Sequence, residues 1–333
     1  MAERLQQLKE WLEGGVGLEG FDIQPASGDA SFRRYFRVIT HGGNRWIAMD
    51  APPEKEDCRP FVEIARQLAA LGLHTPNIEA EDPQRGFLLL EDLGSRLYLD
   101  ALDEQTVDRL YGDALGALVV LQACGPRAGH APYDESLLRQ EMELFREWLL
   151  QRHLDLALAE SEQQMLDQVF DLLVANALEQ PQVFVHRDFH SRNLMVSSPP
   201  NPGILDFQDA VIGPITYDLV SLLKDCYIRW PEQRVRSWAM GYYHLAVQTG
   251  VLGGEYEGRF LRWFDLMGVQ RHLKAAGIFA RLYLRDGKAG YLGDIPRTLG
   301  YIVETASLYP ELEELSGWLN RRVVPAPGLQ LEG

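Results

Sequence analysis

His186-Arg187-Asp188-Phe189-His190-Ser191-Arg192-Asn193, followed by Gly203-Ile204-Leu205-Asp206-Phe207, is the stretch that decides the fold. Phosphoryl transfer to a hydroxyl needs a carboxylate that orients the attacking group and accepts its proton. It also needs hard oxygen ligands that hold Mg²⁺ against nucleotide phosphates. Asp188, Asn193 and Asp206 supply those groups in that order. Val183-Phe184-Val185 reads as a short strand entering the polar loop, and Leu194-Met195-Val196 as one leaving it. Gly203-Ile204-Leu205 reads as a third strand, with Asp206 at its end.

Two plainer readings compete. His186 and His190 have the spacing of helical zinc ligands. The apolar strand before them and Arg187-Asp188-Phe189 between them do not read as a helix, and the Glu of a zinc-protease motif is missing. A chance Asp/Asn/Asp set in polar loops does not account for strand context at all three positions.

Composition narrows the classes. At 333 residues and 46% hydrophobic, the chain can bury a sizeable core. Its net charge is −16, from 48 acidic against 32 basic residues, which disfavours nucleic acid and anionic membrane surfaces as partners. ATP is not excluded, because phosphates are neutralised locally. Cys58, Cys124 and Cys226 form no C-x-x-C pair, so neither a disulfide framework nor a zinc site is expected, and a reducing cytoplasm is the natural compartment. Met1 to Glu13 reads as an amphipathic helix through Leu5, Leu8, Trp11 and Leu12, without a signal core. No apolar run approaches the roughly 18–20 residues of a membrane span.

Along the chain, Gly14-Gly15 ends the first helix. Strands are expected over 32–38 and 46–49, joined by the turn His41-Gly42-Gly43-Asn44. Phe61, Ile64, Ala65, Leu68 and Leu71 place a helix over 57–71. Further strands start at Pro76 and Gly86, giving three strands, a helix and two strands. From Glu104 helical spacing dominates, with helices expected over 105–123, 134–152, 161–178, 217–228, 233–249, 258–284 and 310–321. A loose tail is expected from Val324, and a division near Leu93-Gly94.

The polar loop, the strand-delivered Asp206 and this order of elements resemble the protein-kinase-like fold. The second histidine and Gly213-Pro214-Ile215-Thr216-Tyr217-Asp218-Leu219 are similar to the aminoglycoside phosphotransferase and choline kinase family, which phosphorylates small molecules. The resemblance implies an α+β fold of two lobes. Residues 1–93 would form a small antiparallel-sheet lobe that binds nucleotide, and 94–323 a mainly helical lobe with the catalytic loop, Mg²⁺ and acceptor sites. It implies Asp188 as catalytic base, Asn193 and Asp206 as Mg²⁺ ligands, and ATP as co-substrate. His186, His190 and Asp218 would support the loop from behind, with helix capping an equal reading of Asp218.

In the first lobe, Ser27-Gly28-Asp29-Ala30-Ser31 is the candidate triphosphate loop, with Gly28 and Ser31 letting backbone N–H groups approach phosphate. An ordinary hairpin turn reads the same way. In the strand that follows, Phe32, Arg34, Phe36 and Val38 share one face, and Arg33, Tyr35 and Arg37 the other. The chain departs from the family at the third strand, where a Lys binds phosphate and pairs with a helix Glu. Here Ile47-Ala48-Met49-Asp50 puts Asp50 at that place, Glu63 is the expected helix partner, and Arg33, Arg34 or Lys55 would supply the missing charge. Leu88 to Gly94 resembles the segment joining the lobes, where the backbone of Glu91 and Leu93 would meet adenine.

Acceptor candidates are Glu141, Arg192, Gln208, Asp209, Arg229 and His272, with Asp225, Arg271 and Lys274 beside them; Phe145 and Trp148 read as helix core. The blocks Gly28 to Arg37, Met49 to Pro53, Leu205 to Ala210 and Arg271 to Lys274 resemble a bacterial branch of the family that acts on cell-wall amino sugars. That implies ATP-dependent transfer to the anomeric hydroxyl of N-acetylmuramate or N-acetylglucosamine in peptidoglycan recycling. The expected partners are a small-molecule sugar and ATP, with no nucleic acid and no membrane; nothing in the sequence sets an oligomeric state. Two rivals stand beside this reading. One is a kinase of an aminoglycoside, choline-like amine or amino acid, which the acidic balance would suit. The other is a nucleotide-binding pseudokinase, against which the complete Asp/Asn/Asp set speaks.

Overall fold

A computed structural model describes residues 2–27 and 32–329. In chain order the elements begin with α1 (Ala2–Glu10), β1 (Phe21–Ser27), β2 (Arg34–Thr40), β3 (Arg45–Asp50), α2 (Arg59–Ala70), β4 (Ile78–Asp82), β5 (Phe87–Glu91) and α3 (Tyr98–Ala101). They continue with α4 (Val107–Cys124), α5 (Glu135–Leu144), α6 (Glu160–Leu178), β6 (Gln182–Val185), β7 (Leu194–Met195), β8 (Gly203–Ile204) and β9 (Val211–Pro214). The chain then forms α7 (Tyr217–Leu223), α8 (Glu232–Gln248), α9 (Glu257–Asp286), α10 (Ile295–Ala306) and α11 (Glu313–Trp318). Two compact units result. The first holds the residues up to Thr106 together with Asn193–Gln208; the second holds Val107–Arg192 and the chain from Asp209 onward. The expected linker Leu93-Gly94 therefore lies inside the first unit.

In the first unit, five strands form an antiparallel sheet in the order β1-β2-β3-β5-β4. The β2–β3 hairpin turns through Gly43, whose φ of 87° suits glycine, and Thr40 N–H bonds the Asn44 carbonyl at 3.0 Å. Gly86, with φ 72°, opens the turn into β5. A Cβ there would lie 1.8 Å from the Ala51 carbonyl oxygen, so no other residue fits. Leu8, Trp11 and Leu12 of the N-terminal helical segment cover one face of the sheet, packing with Phe36, Val38, Ala48, Phe87 and Leu89. Alternation puts Met49, Leu88 and Leu90 on the other face, where they too are buried. None of the buried stripe of α2, Phe61, Ile64, Ala65 and Leu68, joins the core under α1. The short β7–β8 pair belongs to this unit and brings Asn193 and Asp206 with it.

The second unit is helical around α9, a 30-residue helix buried along most of its length. Gly277 of α9 lets the end of α5 come close, since a Cβ there would meet the Leu144 backbone at 2.3 Å. Its two strands, β6 and β9, pair antiparallel from Gln182↔Pro214 to Val185↔Val211. Among the described residues no helix is long and apolar enough to cross a membrane.

Several local expectations need correction. The helix expected over 217–228 stops at Leu223, because Asp225 turns away to bond backbone elsewhere. The helix α10 was not expected; Pro296 sits in its first turn, where a missing N–H costs nothing. β9 was not among the expected strands. The tail from Val324 is not loose over its described part: Ala326 is buried, and His153 Nε2 lies 3.1 Å from the Gly328 carbonyl oxygen.

Candidate active site

The loop that begins at His186 is built from its backbone outward. β6 delivers His186, and the Asp218 carboxylate in the first turn of α7 accepts the N–H groups of His186 at 2.7 Å and Arg187 at 2.9 Å. Those two bonds hold Arg187 at φ 76°, a conformation a side chain pays to adopt. Burial pushes the Asp218 carboxyl up to about 7, against two backbone donors that favour the ionised form. Asp188 N–H then donates to His186 Nδ1 at 3.2 Å, which makes that nitrogen an acceptor.

The Asp188 side chain keeps 39% exposure, and His190 Nε2 lies 4.0 Å from its Oδ1. Burial alone would raise the Asp188 carboxyl. Positive charge outweighs it, from Lys274 first, then His190, Arg271 and His186, and holds it below the usual carboxylate range. Burial lowers the His190 imidazole below its ordinary value, so at neutral pH the cations beside Asp188 are Lys274 and Arg271. An ionised, partly exposed carboxylate on a fixed loop can accept a proton from a bound hydroxyl.

Glu141 occupies the centre behind this loop. It is 5% exposed, and its carboxylate meets the Arg187 guanidinium, the Tyr133 hydroxyl and Lys274 Nζ, the last at 3.0 Å. Lys274 Nζ also donates to Tyr217 Oη at 2.8 Å. Glu141 is therefore taken up by internal partners and does not serve an acceptor, contrary to the sequence expectation. Removing it strands two buried cations, so Glu141→Ala should cost about 3–5 kcal/mol of stability, read from denaturant midpoints. An unchanged midpoint would show that the cations find other partners.

The two expected metal ligands belong to the first unit. Leu205 N–H bonds the Asn193 carbonyl at 2.9 Å, which closes the β7–β8 pair and brings the side chains together. Asn193 Nδ2 lies 3.3 Å from Asp206 Oδ2, and Gln208 Nε2 donates to Asp206 Oδ1 at 2.7 Å. Asp206 has φ 63°, and Phe207 beside it packs on Phe61 of α2 with ring centroids 4.9 Å apart. One carboxylate and one amide oxygen at this corner fit Mg²⁺, which takes few protein ligands and completes its octahedron with water and phosphate. Among the described residues no three His, Cys, Asp or Glu side chains cluster as a metal cage.

The third-strand departure resolves differently from the expectation. Asp50 shares its face with Ala48, which packs under α1, so Asp50 points to the covered side of the sheet. There Arg4 of α1 takes its Oδ1 and Arg34 its Oδ2, each with Nε at 3.1 Å, and Asp50 is fully buried between them. Met49, not Asp50, faces the other side. Arg34 is spent on Asp50, whereas Arg33 is 8% exposed and pairs with Glu56 at 3.2 Å. Glu63 lies on the exposed face of α2 with Gln67 Nε2 at 3.4 Å, so it is not the expected partner of a phosphate cation. Lys55 Nζ stands 4.6 Å from the Phe32 ring centroid. Gly28 and Ser31 lie outside the described residues. Glu91 N–H is already bonded to the Asn77 carbonyl at 2.9 Å, and Leu93 packs where a Cβ on Gly203 would meet it at 2.8 Å.

Of the remaining acceptor candidates, His272 is a core residue: its ring is 1% exposed, stacks on Tyr301 at 4.7 Å, and has Nε2 2.8 Å from the Lys224 carbonyl. Burial pushes its imidazole down to about 3, so it stays neutral. Arg229 is exposed and paired with Glu304 over the Tyr301 ring. Asp209 is exposed, its carbonyl accepting from Arg187 Nη1 at 3.3 Å, and Gln208 turns to Asp206 in the first unit. Arg192 stays beside the loop, its guanidinium 3.8 Å from the Tyr227 ring centroid. Sequence reading missed Tyr227 and Tyr291, which carry no motif, and the Arg187–Glu141–Lys274 linkage, whose members lie far apart in the chain.

Residues 22–251 match the model of the phosphotransferase enzyme family. The chain is 49% identical over 324 residues to an N-acetylmuramate/N-acetylglucosamine kinase of Pseudomonas aeruginosa, covering 94% of this chain and 95% of that protein. It is 41% identical over 317 residues to a protein of the same description from Neisseria meningitidis, covering 94% of each. Among solved structures it is similar to a choline kinase from Streptococcus pneumoniae, with TM-score 0.63, 11% identity, and 90% of this chain and 99% of that one covered. An ADP-bound aminoglycoside phosphotransferase matches with TM-score 0.59, 16% identity, and coverage of 90% and 98%. At those identities the structural likeness speaks for a kinase-like fold.

Proposed function

The chain belongs to the phosphotransferase enzyme family, and on that premise we propose that it transfers the γ-phosphoryl group of ATP to the anomeric hydroxyl of N-acetylmuramate or N-acetylglucosamine. The observation that carries the acceptor is similarity along nearly the whole chain to kinases described by those two sugars. The site agrees with it. Lys274 and Arg271 beside Asp188 disfavour a cationic amine as acceptor.

In this reading the sugar oxygen attacks the γ-phosphorus, the bond to the β,γ-bridging oxygen breaks, and ADP leaves. Asp188 orients the hydroxyl and takes its proton. An anomeric hydroxyl is more acidic than an ordinary alcohol, so orientation outweighs basicity. Asn193 and Asp206 would hold Mg²⁺, which supplies charge neutralisation on the phosphates. Arg33, held by Glu56, takes the phosphate-binding place of the missing third-strand Lys. Leu93 rather than Glu91 offers its backbone to adenine, since the Glu91 N–H is already bonded. The enzyme works in the cytoplasm on recycled wall sugar.

Incubation with ATP, Mg²⁺ and a panel of acceptors, followed by ADP release and NMR of the product, tests this. Phosphate on the anomeric carbon of either N-acetyl sugar is expected. Turnover of amines or aminoglycosides without turnover of the sugars would replace the acceptor.

A further inference from the structure

Resting on the acceptor reading above, we infer that Arg192, stacked on Tyr227 and Tyr291, reads an acceptor carboxylate and thereby separates N-acetylmuramate from N-acetylglucosamine. The two sugars share the anomeric hydroxyl and the 2-acetamido group. They differ in the lactyl ether on C3 of the muramate, which ends in a carboxylate. A site that ranks them needs a cation two ring carbons along from the reacting hydroxyl.

Arg192 has the properties of such a cation. It is half-buried, and among the described residues its guanidinium has no hydrogen bond and no ion pair, so its donors are uncommitted. It is fixed by rings alone, with the Tyr227 centroid at 3.8 Å and the Tyr291 centroid at 5.6 Å. A stacked guanidinium keeps its planar edge free for two parallel bonds to a carboxylate, a geometry a lysine does not reproduce.

Its position is set by the same machinery that sets the base. One carboxylate, Asp225, accepts Ser191 N–H at 3.0 Å and Ser191 Oγ at 2.5 Å through one oxygen, and Tyr227 N–H at 3.0 Å through the other. The residue preceding Arg192 and the ring beneath it are thus anchored together. Tyr227 also packs edge-on to His190 at 5.5 Å, and His190 Nε2 lies 4.0 Å from Asp188. Asp188, His190, Tyr227 and Arg192 therefore succeed one another along one wall. Behind it Phe279 joins Tyr227 at 6.0 Å to Tyr291 at 5.6 Å, closing an aromatic surface against which a sugar face can lie.

The test is the ratio of kcat/KM for N-acetylmuramate to that for N-acetylglucosamine, in wild type, Arg192→Gln and Arg192→Lys, with thermal melts to check folding. Loss of a two-pronged charged contact should lower the ratio roughly 10- to 100-fold in Arg192→Gln. Arg192→Lys should fall between. A second variant, Tyr291→Leu, should lower the ratio less, by loosening the stack. An equal loss on both sugars, or an unchanged ratio, overturns the inference. A wild-type protein inactive on both sugars overturns instead the acceptor reading beneath it, and the two failures are told apart in the wild-type assay.

Discussion

In Asp188→Asn, kcat should fall about 10³-fold or more while the dissociation constant for ADP stays within about threefold of wild type. Asn has nearly the shape of Asp, and the loop is held by Asp218 and Asp225 through other residues, so the geometry survives the exchange. What is lost is the ionised oxygen that takes the proton. The pH profile gives a second reading. Asp188 must be ionised to work, and its carboxyl is held below the ordinary range, so activity is lost as pH falls through that lowered value. The acid limb of kcat/KM should thus lie below the ordinary carboxylate range, and remaining activity in the Asn variant should lack it. Near-native turnover in Asp188→Asn would assign the base elsewhere.

Asp206→Asn should cost about 4 kcal/mol in the transition state, roughly 10³-fold in kcat. Asn is the right replacement because Asp206 has φ 63°, and Asn is among the few residues that visit that conformation readily. The variant removes a negative charge and leaves the turn. Its Oδ atoms now accept from Asn193 and Gln208, and an amide there keeps at most part of that arrangement. The direct readout is nucleotide affinity against Mg²⁺ concentration. Wild type should bind ADP more tightly as Mg²⁺ rises, and the variant should show little dependence. A full Mg²⁺ response in Asp206→Asn would mean that another group holds the ion.

The parts of the molecule that were legible in sequence are those written locally. The loop from His186 to Asn193 and the turn to Asp206 carry their chemistry in consecutive residues, and strand alternation located the sheet around them. Glu141 was read from the sequence as an acceptor candidate and not as the partner of Arg187 and Lys274, because those pairings span distant elements. Asp50 misled for a related reason. A strand pattern says which residues share a face but not which face is covered, and that depended on Leu8, Trp11 and Leu12. The aromatic wall of Tyr227, Phe279 and Tyr291 has no spacing to announce it, since its members come from a loop, a helix and a short turn.

The division of the chain into two units has a consequence for anyone who wishes to take the protein apart. The backbone passes from one unit to the other at Thr106, at Arg192 and at Gln208, so no single cut separates them. A fragment ending at Thr106 would keep the five-stranded sheet but leave Asn193 and Asp206 behind on the complementary piece. A split reporter or a graft of the sheet onto another helical body would need the segment Asn193–Gln208, which carries β7 and β8, supplied as well.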